Sequence, residues 1–432
     1  MRVDIGNALA AVASPGVPRG ALERLDDRVE QAHERIATGR AGGEFGYAAL
    51  DLPETVDLGA VRDAAAEVAV DPEAVLVVGI GGSALGAATL AAAVDPPVPV
   101  HVLDNVDPAE TRALLADLPL ARTAVNVVSE SGTTTETLAN FLVVRDAMAA
   151  ADVDWTDRTL VTTGEAGPLR ALADREGLPT LPTPPGAPGR FSALSPVGLA
   201  PLVLAGAGED AAAMLAGARD VDLSGSLFDC PAYAYGATAY ALDARGAAVN
   251  AMCPYAESLD RFAEWFGQLW AESLGKDGLG QTPVRTLGAT DQHSQLQLWR
   301  AGPRDKLVTL VRPTERPTVP IPDPGEGALA HLAGEDLGGL LDAEFGATEA
   351  SLAAAGRPSV RVEVERVDAR GVGELCYGME AACVLAGELY GVETFTQPAV
   401  EWGKRATRGL LGAADGREEA AAVGRKSELV VE

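Results

Sequence analysis

The sequence predicts an α/β protein built on two doubly wound parallel sheets, with a helical segment before them and a helical arm after them. From about residue 75, short and continuously apolar runs alternate with helical patterns, which is typical of strands buried on both faces of a parallel sheet. The stretch Thr183–Gly189, rich in proline and glycine, interrupts this alternation, and a second alternation follows it. A chain of 432 residues also exceeds one ordinary core, which favours two domains.

Individual elements follow from the same apolar patterns. In the first half, the predicted strands are Val75–Ile80, Val98–Leu103, Ala124–Val128 and Thr159–Thr163, and the predicted helices are Ser83–Val94, Pro108–Leu118 and Thr134–Ala150. In the second half, the predicted strands are Ala247–Met252, Lys306–Arg312 and Ser359–Val367, with helices at Ser258–Leu274 and Gly371–Tyr390. The first fifty residues are expected to be helical, and Thr394–Gly412 is expected to form the arm. The predicted boundaries are therefore residues 1–52 for the N-terminal segment, 53–192 and 193–392 for the two domains, and 393–432 for the arm.

The charge balance argues against several classes of partner. Asp and Glu number 62 against 34 Lys and Arg, which gives a formal net charge of −28. Such a charge repels the phosphates of nucleic acids and the surfaces of anionic membranes, so we expect neither as a partner. Hydrophobic residues still make up 47%, so the chain is not an acidic disordered segment. Only four of the basic residues are lysines, and an acidic, lysine-poor surface fits a protein adapted to high salt or, alternatively, a biased genome composition.

Other compositional features point to a cytoplasmic protein without a metal centre. No apolar run approaches the ~18 residues of a membrane helix, and the N-terminus makes a poor signal peptide. The four cysteines form no C-x-x-C pattern and are expected to be buried thiols in a reducing compartment. The four histidines are far apart, which argues against a His/Cys metal site.

A glycine-rich turn follows the first predicted strand. In residues 79–84 (GIGGSA), Gly82 and Ser83 stand where main-chain N–H groups and a hydroxyl could approach an anion at the start of a helix. The pattern Gly79-x-Gly81-x-x-Ala84 also fits a dinucleotide-binding turn, and Asp104 ends the next strand, where a ribose-binding acid would lie. A tight turn without a ligand is the third interpretation of this motif taken alone.

A hydroxyl-rich loop follows the third predicted strand and favours a phosphate site. Residues 129–137 (SESGTTTET) place six hydroxyls around one glycine at the start of a helix. Helix capping would account for one or two of these hydroxyls but not for six. These hydroxyls belong to Ser129, Ser131, Thr133, Thr134, Thr135 and Thr137, and Glu136 lies at the same helix start.

Three further motifs carry charged side chains suited to proton transfer. Arg190, in residues 189–198 (GRFSALSPVG), could be a surface charge or could stabilise an oxyanion. Glu272, close to the end of a predicted helix, could be a solvated carboxylate paired with Lys276 or a general base. His293 lies among Asp, Gln and Ser side chains in a chain that has almost no histidine, although an isolated histidine is more often structural.

The last motif opens the predicted arm. Residues 397–404 (QPAVEWGK) contain Gln397 and Lys404, and Lys404 could simply be exposed. Lysine is nearly excluded from this sequence, yet two of its four lysines, Lys276 and Lys404, lie in these motifs, which favours a role for them.

Together the six motifs, from about Gly79 to Lys404, resemble the glucose-6-phosphate isomerase family, whose sugar isomerase (SIS) fold places two strand ends on one phosphate. The resemblance implies the reversible conversion of glucose 6-phosphate into fructose 6-phosphate, in glycolysis and gluconeogenesis, without a cofactor or a metal. It implies that Glu272 is the base, that His293 opens the sugar ring with help from Lys404, and that Arg190 stabilises the enediolate.

The resemblance also implies how the sugar phosphate is held and how the chain assembles. Gly82, Ser83 and the hydroxyls of the second loop would hold the phosphate, and Glu136 and Gln397 would line the pocket. The family is normally a homodimer, so His293 would act across the interface. Two positions depart from the family pattern: Glu130 stands where a basic residue is usual, and is expected to turn away from the phosphate, and Ala399 stands where glycine is usual.

Three alternatives remain open from the sequence. A nicotinamide-dependent dehydrogenase would use the glycine turn and Asp104 but leaves the threonine loop and the later motifs unexplained. A non-catalytic phosphosugar sensor would bind without turnover. An isomerase with added mannose 6-phosphate activity is the third, because a phosphate site does not inspect the configuration at C2.

Overall fold

Two five-stranded sheets organise residues 1–394, the larger of two units in the computed structural model, which describes residues 1–431. The strands are β1 (Arg2–Asp4), β2 (Ala74–Val78), β3 (Val100–Leu103), β4 (Thr123–Ser129), β5 (Thr159–Thr163), β6 (Thr180–Pro182), β7 (Val249–Pro254), β8 (Thr282–Arg285), β9 (Lys306–Pro313) and β10 (Ser359–Val364). The helices are α1 (Arg19–Ala41), α2 (Leu52–Thr55), α3 (Leu58–Ala66), α4 (Leu85–Val94), α5 (Pro108–Asp117), α6 (Thr135–Ala150), α7 (Pro168–Glu176), α8 (Pro196–Leu204), α9 (Gly208–Arg219), α10 (Pro231–Asp243), α11 (Asp260–Leu274), α12 (Thr290–Ala301), α13 (Leu337–Ala354) and α14 (Ala369–Tyr390).

Both sheets are doubly wound, and the predicted fold class is confirmed. The first sheet has the order β3-β2-β4-β5-β6, with every neighbouring pair parallel. The second has the order β1-β10-β9-β7-β8, in which only the edge strand β1 runs antiparallel to its neighbour. Each sheet therefore contains a switch point, where the connections that follow two neighbouring strands run in opposite directions: β2 and β4 in the first sheet, β7 and β9 in the second. Ligands of open α/β sheets bind at the carboxyl ends of the strands there.

Continuous apolar strands arise because both faces of the first sheet are covered by helices. Leu76 packs in a core with Phe141 of α6, while its neighbour Val75 faces the opposite side and packs in a core with Leu204 of α8. Successive side chains of a strand point to opposite faces, so every residue of β2 is buried. In the second sheet, Val308 of β9 belongs to a core that includes residues of α12 and α13.

The C-terminal unit, from Phe395 onward, contains α15 (Pro398–Leu410) and α16 (Arg417–Val423). Its two helices are joined by an ion pair between Arg405 and Glu419, with Nε and Oε1 2.6 Å apart. Both sheets lie in the single unit of residues 1–394. The boundaries expected from the sequence for the two domains and the arm therefore stay predictions.

The structure corrects the sequence-based expectations at the edges of the sheets. Residues 2–4, expected to be helical, form β1 and pair with β10. The edge strands β6 and β8 were not predicted, because they are short and partly exposed and because both contain a proline. The four cysteines are buried thiols, as predicted. Among the helices of residues 1–431, none is both long and apolar enough to cross a membrane.

Candidate active site

The two predicted phosphate loops meet at the switch point of the first sheet. One follows β2 and the other follows β4, and these two strands are hydrogen-bonded neighbours. After β2 the chain turns through Gly81, whose φ of +57° lies in the left-handed region that favours glycine. A short 3₁₀ turn, Gly81–Ser83, then leads into α4. Gly82 and Ser83 therefore lie at the carboxyl end of a parallel sheet, where a ligand is expected.

The hydroxyls of the second loop form a cluster before α6. The Ser129 hydroxyl donates to Oγ1 of Thr134 at 3.1 Å, and Oγ of Ser131 accepts both the main-chain N–H of Thr133, at 3.2 Å, and its hydroxyl, at 3.0 Å. Thr134 is the residue that precedes α6, and its side chain makes no capping hydrogen bond within the described chain. The hydroxyls bind one another at a helix N-terminus, an arrangement suited to receiving phosphate oxygens. Glu136 lies in the first turn of the same helix.

Gly82 brings the glycine turn into main-chain contact with the segment that carries Arg190. A Cβ added at Gly82 would lie 2.3 Å from the carbonyl carbon of Gly189 and 2.6 Å from the main-chain nitrogen of Arg190. Real Cβ atoms do not approach main-chain atoms so closely, so only glycine fits here without displacing one of the two segments. The predicted phosphate site and Arg190 are thereby held next to each other.

Arg190 is buried and holds the end of helix α11. Its side chain is 1% exposed; Nε donates to the hydroxyl of Ser273 at 2.8 Å and Nη2 to the carbonyl of Thr394 at 2.6 Å. Its Nη1 lies 3.5 Å from Oε2 of Glu272. Burial lowers the pKa of Arg190, and the carboxylate of Glu272 opposes this effect. A buried guanidinium whose position is fixed by several acceptors is well suited to stabilising negative charge that develops beside it.

Glu272 lies at the end of α11 with its carboxylate held but accessible. Oε1 accepts a hydrogen bond from Nε2 of Gln268 at 3.1 Å, and Oε2 faces Arg190. The side chain is 28% exposed, so a substrate can reach it. The alternative of a carboxylate paired with Lys276 is not what the structure contains. The Lys276 ammonium donates instead to the main-chain carbonyls of Glu272, at 2.6 Å, and Ser273, at 2.7 Å.

Lys276 thus caps the C-terminal end of the helix that carries Glu272. Cations stabilise a helix C-terminus, where the last carbonyls lack partners within the helix. Burial and, to a smaller extent, the nearby charge of Arg190 lower the pKa of Lys276 to about 8. The sequence singled out this lysine only as a possible partner of the Glu272 carboxylate, and its contact with the main chain was not predicted.

Glu130 lies on the Arg190 side of the hydroxyl loop. Its Oε2 is 3.8 Å from the position that a Cβ at Gly189 would take, and its charge slightly opposes the lowering of the pKa of Arg190 by burial. The sequence predicted only that this carboxylate turns away from the phosphate. The structure adds that it contributes negative charge beside the buried guanidinium.

His293 makes no contact with these groups within the described chain. It is exposed in the first turns of α12, and among the contacts of residues 1–431 it makes none with Glu272 or Arg190. The polar residues next to it bind elsewhere: Asp291 accepts from the N–H of Leu287 at 2.8 Å, and Gln292 accepts from the Tyr255 hydroxyl at 2.7 Å. Asp291 and Gln292 therefore use these hydrogen bonds elsewhere and do not orient the His293 ring through them.

Lys404 and Gln397 belong to the C-terminal unit. Gln397 precedes α15, and the Lys404 ammonium lies 2.7 Å from Oε1 of Glu401 on the exposed side of that helix. Their relation to Glu272 stays a prediction. In residues 1–394, the structure brings together Gly82, Arg190 and Glu272, along with Gln268 and Ser273, which the sequence did not identify.

A cradle of hydroxyls at a switch point, next to a carboxylate and a buried arginine, is the arrangement expected of an aldose–ketose isomerase that acts on a phosphorylated sugar. The family model described as phosphoglucose isomerase matches residues 50–286. The chain is 65% identical, over 434 residues and the full length of both chains, to a probable glucose-6-phosphate isomerase of Natronomonas pharaonis. The chain belongs to the phosphoglucose isomerase family.

Solved structures share the fold of this chain. A hypothetical protein from Thermus thermophilus superposes with a TM-score of 0.84 and 39% identity, covering 95% of this chain and all of that one. A glucose-6-phosphate isomerase from Chlamydia trachomatis superposes with a TM-score of 0.81, covering 95% of this chain and 90% of that one. At 20% identity, the second comparison concerns the fold alone.

Proposed function

We propose that this chain interconverts glucose 6-phosphate and fructose 6-phosphate by moving one proton between C2 and C1 through an enediolate. The observation that carries the proposal is the Glu272 carboxylate, which is partly exposed and is held by Gln268 and Arg190 in a chain of the phosphoglucose isomerase family. A base that removes a proton next to a carbonyl must face the substrate and must be fixed in position, and Glu272 meets both conditions.

In the proposed reaction, the phosphate binds the two loops at the first switch point. The N–H of Gly82 and the hydroxyls of Ser83, Ser129, Ser131, Thr133 and Thr134 hold its oxygens, and Glu136 and Gln397 line the pocket. The dispersed donors and the N-terminus of α6 compensate for the missing basic residue at Glu130. Because the phosphate does not react, its binding energy serves to position C1 and C2 beside Glu272.

Glu272 then takes the proton from C2 of the open-chain aldose and returns it to C1, while the hydroxyl proton of O2 passes to O1, which gives the ketose. Negative charge develops on the oxygens of the enediolate, and the Arg190 guanidinium stabilises it. The guanidinium is buried and already donates to Ser273 and Thr394, so it does not need to reorganise when the charge develops. This proton transfer needs no redox cofactor and no metal. We assign ring opening to His293, with Lys404 acting at the ring oxygen.

The reaction is tested by a coupled assay of fructose 6-phosphate conversion in molar KCl, where the charge of −28 is screened. Glu272→Gln keeps the shape of the side chain but removes the base, and it is expected to abolish turnover while phosphosugar binding persists. Glu264→Gln is the matched control, because Glu264 lies on the same helix in an exposed ion pair with Arg285. Turnover by folded Glu272→Gln protein at the control rate would remove Glu272 from the mechanism.

We further propose that the protein is a cytoplasmic homodimer and that His293 reaches the site of the partner subunit. The exposure of His293 and the absence of contacts between it and Glu272 or Arg190 within residues 1–431 support this proposal. Glu272→Gln and His293→Asn protein, each inactive alone, should regain about one quarter of wild-type activity when unfolded and refolded together in equal amounts, because half of the dimers are mixed and each has one intact site. Mixtures that stay inactive, with mixed dimers formed, would place His293 and Glu272 of one chain in the same site.

A further inference from the structure

The two sheets repeat one chain topology. In the first sheet the chain passes from β2 to β3 on one side, then to β4 on the other side of β2, and on to β5. In the second sheet it passes from β7 to β8 on one side, then to β9 on the other side of β7, and on to β10. The loops after β7 and β9 are therefore the counterparts of the two proposed phosphate loops, which follow β2 and β4.

A cavity of about 720 Å³ lies at this second switch point. Its walls come from the segments after β7, β9 and β10 and from the first turns of α13, and its polar lining includes Glu257, Ser258, Glu315, Arg316, Arg366 and Asp368. The local structure is repeated as well, since a short 3₁₀ turn with a serine precedes the next helix in both places. The turn is Gly81–Ser83 before α4 in the first sheet and Glu257–Leu259 before α11 in the second. The position of the cavity is the one at which open α/β sheets bind ligands.

Arg316 contributes a charged donor that the protein itself does not satisfy. Its side chain is 10% exposed; Nε donates to Oδ1 of Asp342 at 3.0 Å and Nη1 to the carbonyl of Tyr255 at 2.6 Å. The third nitrogen, Nη2, is buried and finds no hydrogen-bond acceptor in residues 1–431. A buried guanidinium nitrogen without an acceptor is unfavourable because it has lost its water, and a movement of the Arg316 side chain into the cavity that it lines would bring Nη2 to an anionic oxygen bound there.

The remaining walls of the cavity define the chemistry of the ligand. Ser258 supplies a hydroxyl from the short turn that precedes α11, and this hydroxyl can donate to an anionic group. Glu257 and Asp368 supply carboxylate oxygens that accept hydrogen bonds from hydroxyl groups. The charge of Glu315 is neutralised by an ion pair with Arg366. Donors for an anion together with acceptors for hydroxyls are what a phosphorylated sugar or polyol requires.

We propose that the cavity at the second switch point is a second ligand site, distinct from the isomerase site, that takes a small phosphorylated polyhydroxy compound. The phosphate oxygens lie on Arg316 and Ser258, and the hydroxyls lie on Glu257 and Asp368. The charges of the carboxylates are weakened by screening at high salt, which limits their repulsion of the phosphate. The proposal does not depend on which residues catalyse the isomerisation.

The test is the stoichiometry of glucitol 6-phosphate, which carries a phosphate and hydroxyls but no carbonyl and therefore does not isomerise. Calorimetric titration of the full chain in molar KCl is expected to give two molecules bound per chain. Arg316→Met is expected to remove one of them, with a loss of affinity of about tenfold or more at that site. Ser131→Glu, in the first cradle, is expected to remove the other. Arg300→Met is the control, since Arg300 is an exposed arginine outside the cavity, and it should leave two.

A second variant keeps the test valid if Arg316→Met fails to fold. Ser258→Glu places a carboxylate in the cavity at a partly exposed position and should also remove one bound molecule. A single bound molecule that persists in both Arg316→Met and Ser258→Glu overturns the proposal. Two bound molecules that neither variant affects overturn it as well. If the wild-type chain binds a single molecule that is lost in both variants but retained in Ser131→Glu, the second site is supported. The first cradle then does not bind glucitol 6-phosphate.

Discussion

Gly82→Ala tests whether the contact between the glycine turn and the Arg190 segment positions the catalytic groups. The added Cβ would lie 2.3 Å from the carbonyl carbon of Gly189, whereas unstrained carbon atoms are about 3.5 Å apart. The two main chains must therefore separate by about 1 Å. Because both partners in the contact are main-chain atoms, no rotation of a side chain can relieve the overlap.

The size of the expected effect follows from this displacement. Overpacking of a buried contact costs about 1–3 kcal/mol of the free energy of unfolding. A shift of about 1 Å in a catalytic group can reduce the rate about 100-fold. The guanidinium of Arg190 is fixed by Ser273 and Thr394, so the shift changes the distance between the phosphate cradle and the pair of Arg190 and Glu272. We expect kcat/KM to fall about 100-fold, mostly through kcat.

The assay is steady-state isomerisation in molar KCl, combined with urea unfolding of the same protein. The matched control is Gly346→Ala, at an exposed position inside α13 where, among the described residues, an added Cβ meets nothing within 4 Å. This control should keep wild-type activity and gain up to about 1 kcal/mol of stability, because alanine favours a helix over glycine. Wild-type kcat/KM and stability in Gly82→Ala would refute the argument that this contact positions the site.

Three smaller changes test other parts of the account. The pKa of Lys276 is lowered to about 8, so the rate should fall between roughly pH 7 and pH 9 as the ammonium beside Glu272 loses its proton. In Lys276→Arg this alkaline limb of the pH–rate profile should move to higher pH. A limb that stays in place would show that Lys276 is not the group that titrates. Glu130→Lys removes negative charge beside Arg190 and adds a cation to the hydroxyl loop, so KM should fall several-fold in dilute buffer and less in molar KCl; an unchanged KM in both would show that the side chain does not act on the phosphate. Asp107→Ala removes the carboxylate that accepts the N–H of Ala109 at the start of α5, and it should cost about 1 kcal/mol in urea unfolding without changing kcat; a loss of activity would show that α5 is coupled to the site.

The sequence predicted the interior strands of the sheets well because their burial leaves a simple pattern. The run expected as Val75–Ile80 is β2, Ala74–Val78, and the run expected as Ala124–Val128 is β4, Thr123–Ser129. Both strands have helices on either side, so every position must be apolar or internally bonded. The edge strand β8 has one neighbour, and its residues are exposed or only partly buried, so its sequence lacks this signal.

The candidate site was predictable where one local motif determines the geometry. The hydroxyl cluster before α6 lies within six consecutive residues, and its position after a strand and before a helix follows from the motif itself. Gln268 could have been found, since it lies one helical turn before Glu272 on the same face. The bond from Arg190 to the carbonyl of Thr394 spans 204 residues and depends on tertiary packing, for which one sequence carries no local signal.

The most direct test of the proposed mechanism is the fate of the transferred hydrogen when the isomerisation is run in deuterium oxide and the sugar phosphates are followed by NMR. A carboxylate that carries the proton exchanges it with solvent, so the wild-type protein should place deuterium at C2 of glucose 6-phosphate during turnover. Glu272→Gln should give neither isomerisation nor exchange, although the protein is folded and binds the sugar phosphate. Wild-type turnover without any deuterium at C2, or undiminished exchange in Glu272→Gln, would contradict proton transfer by Glu272.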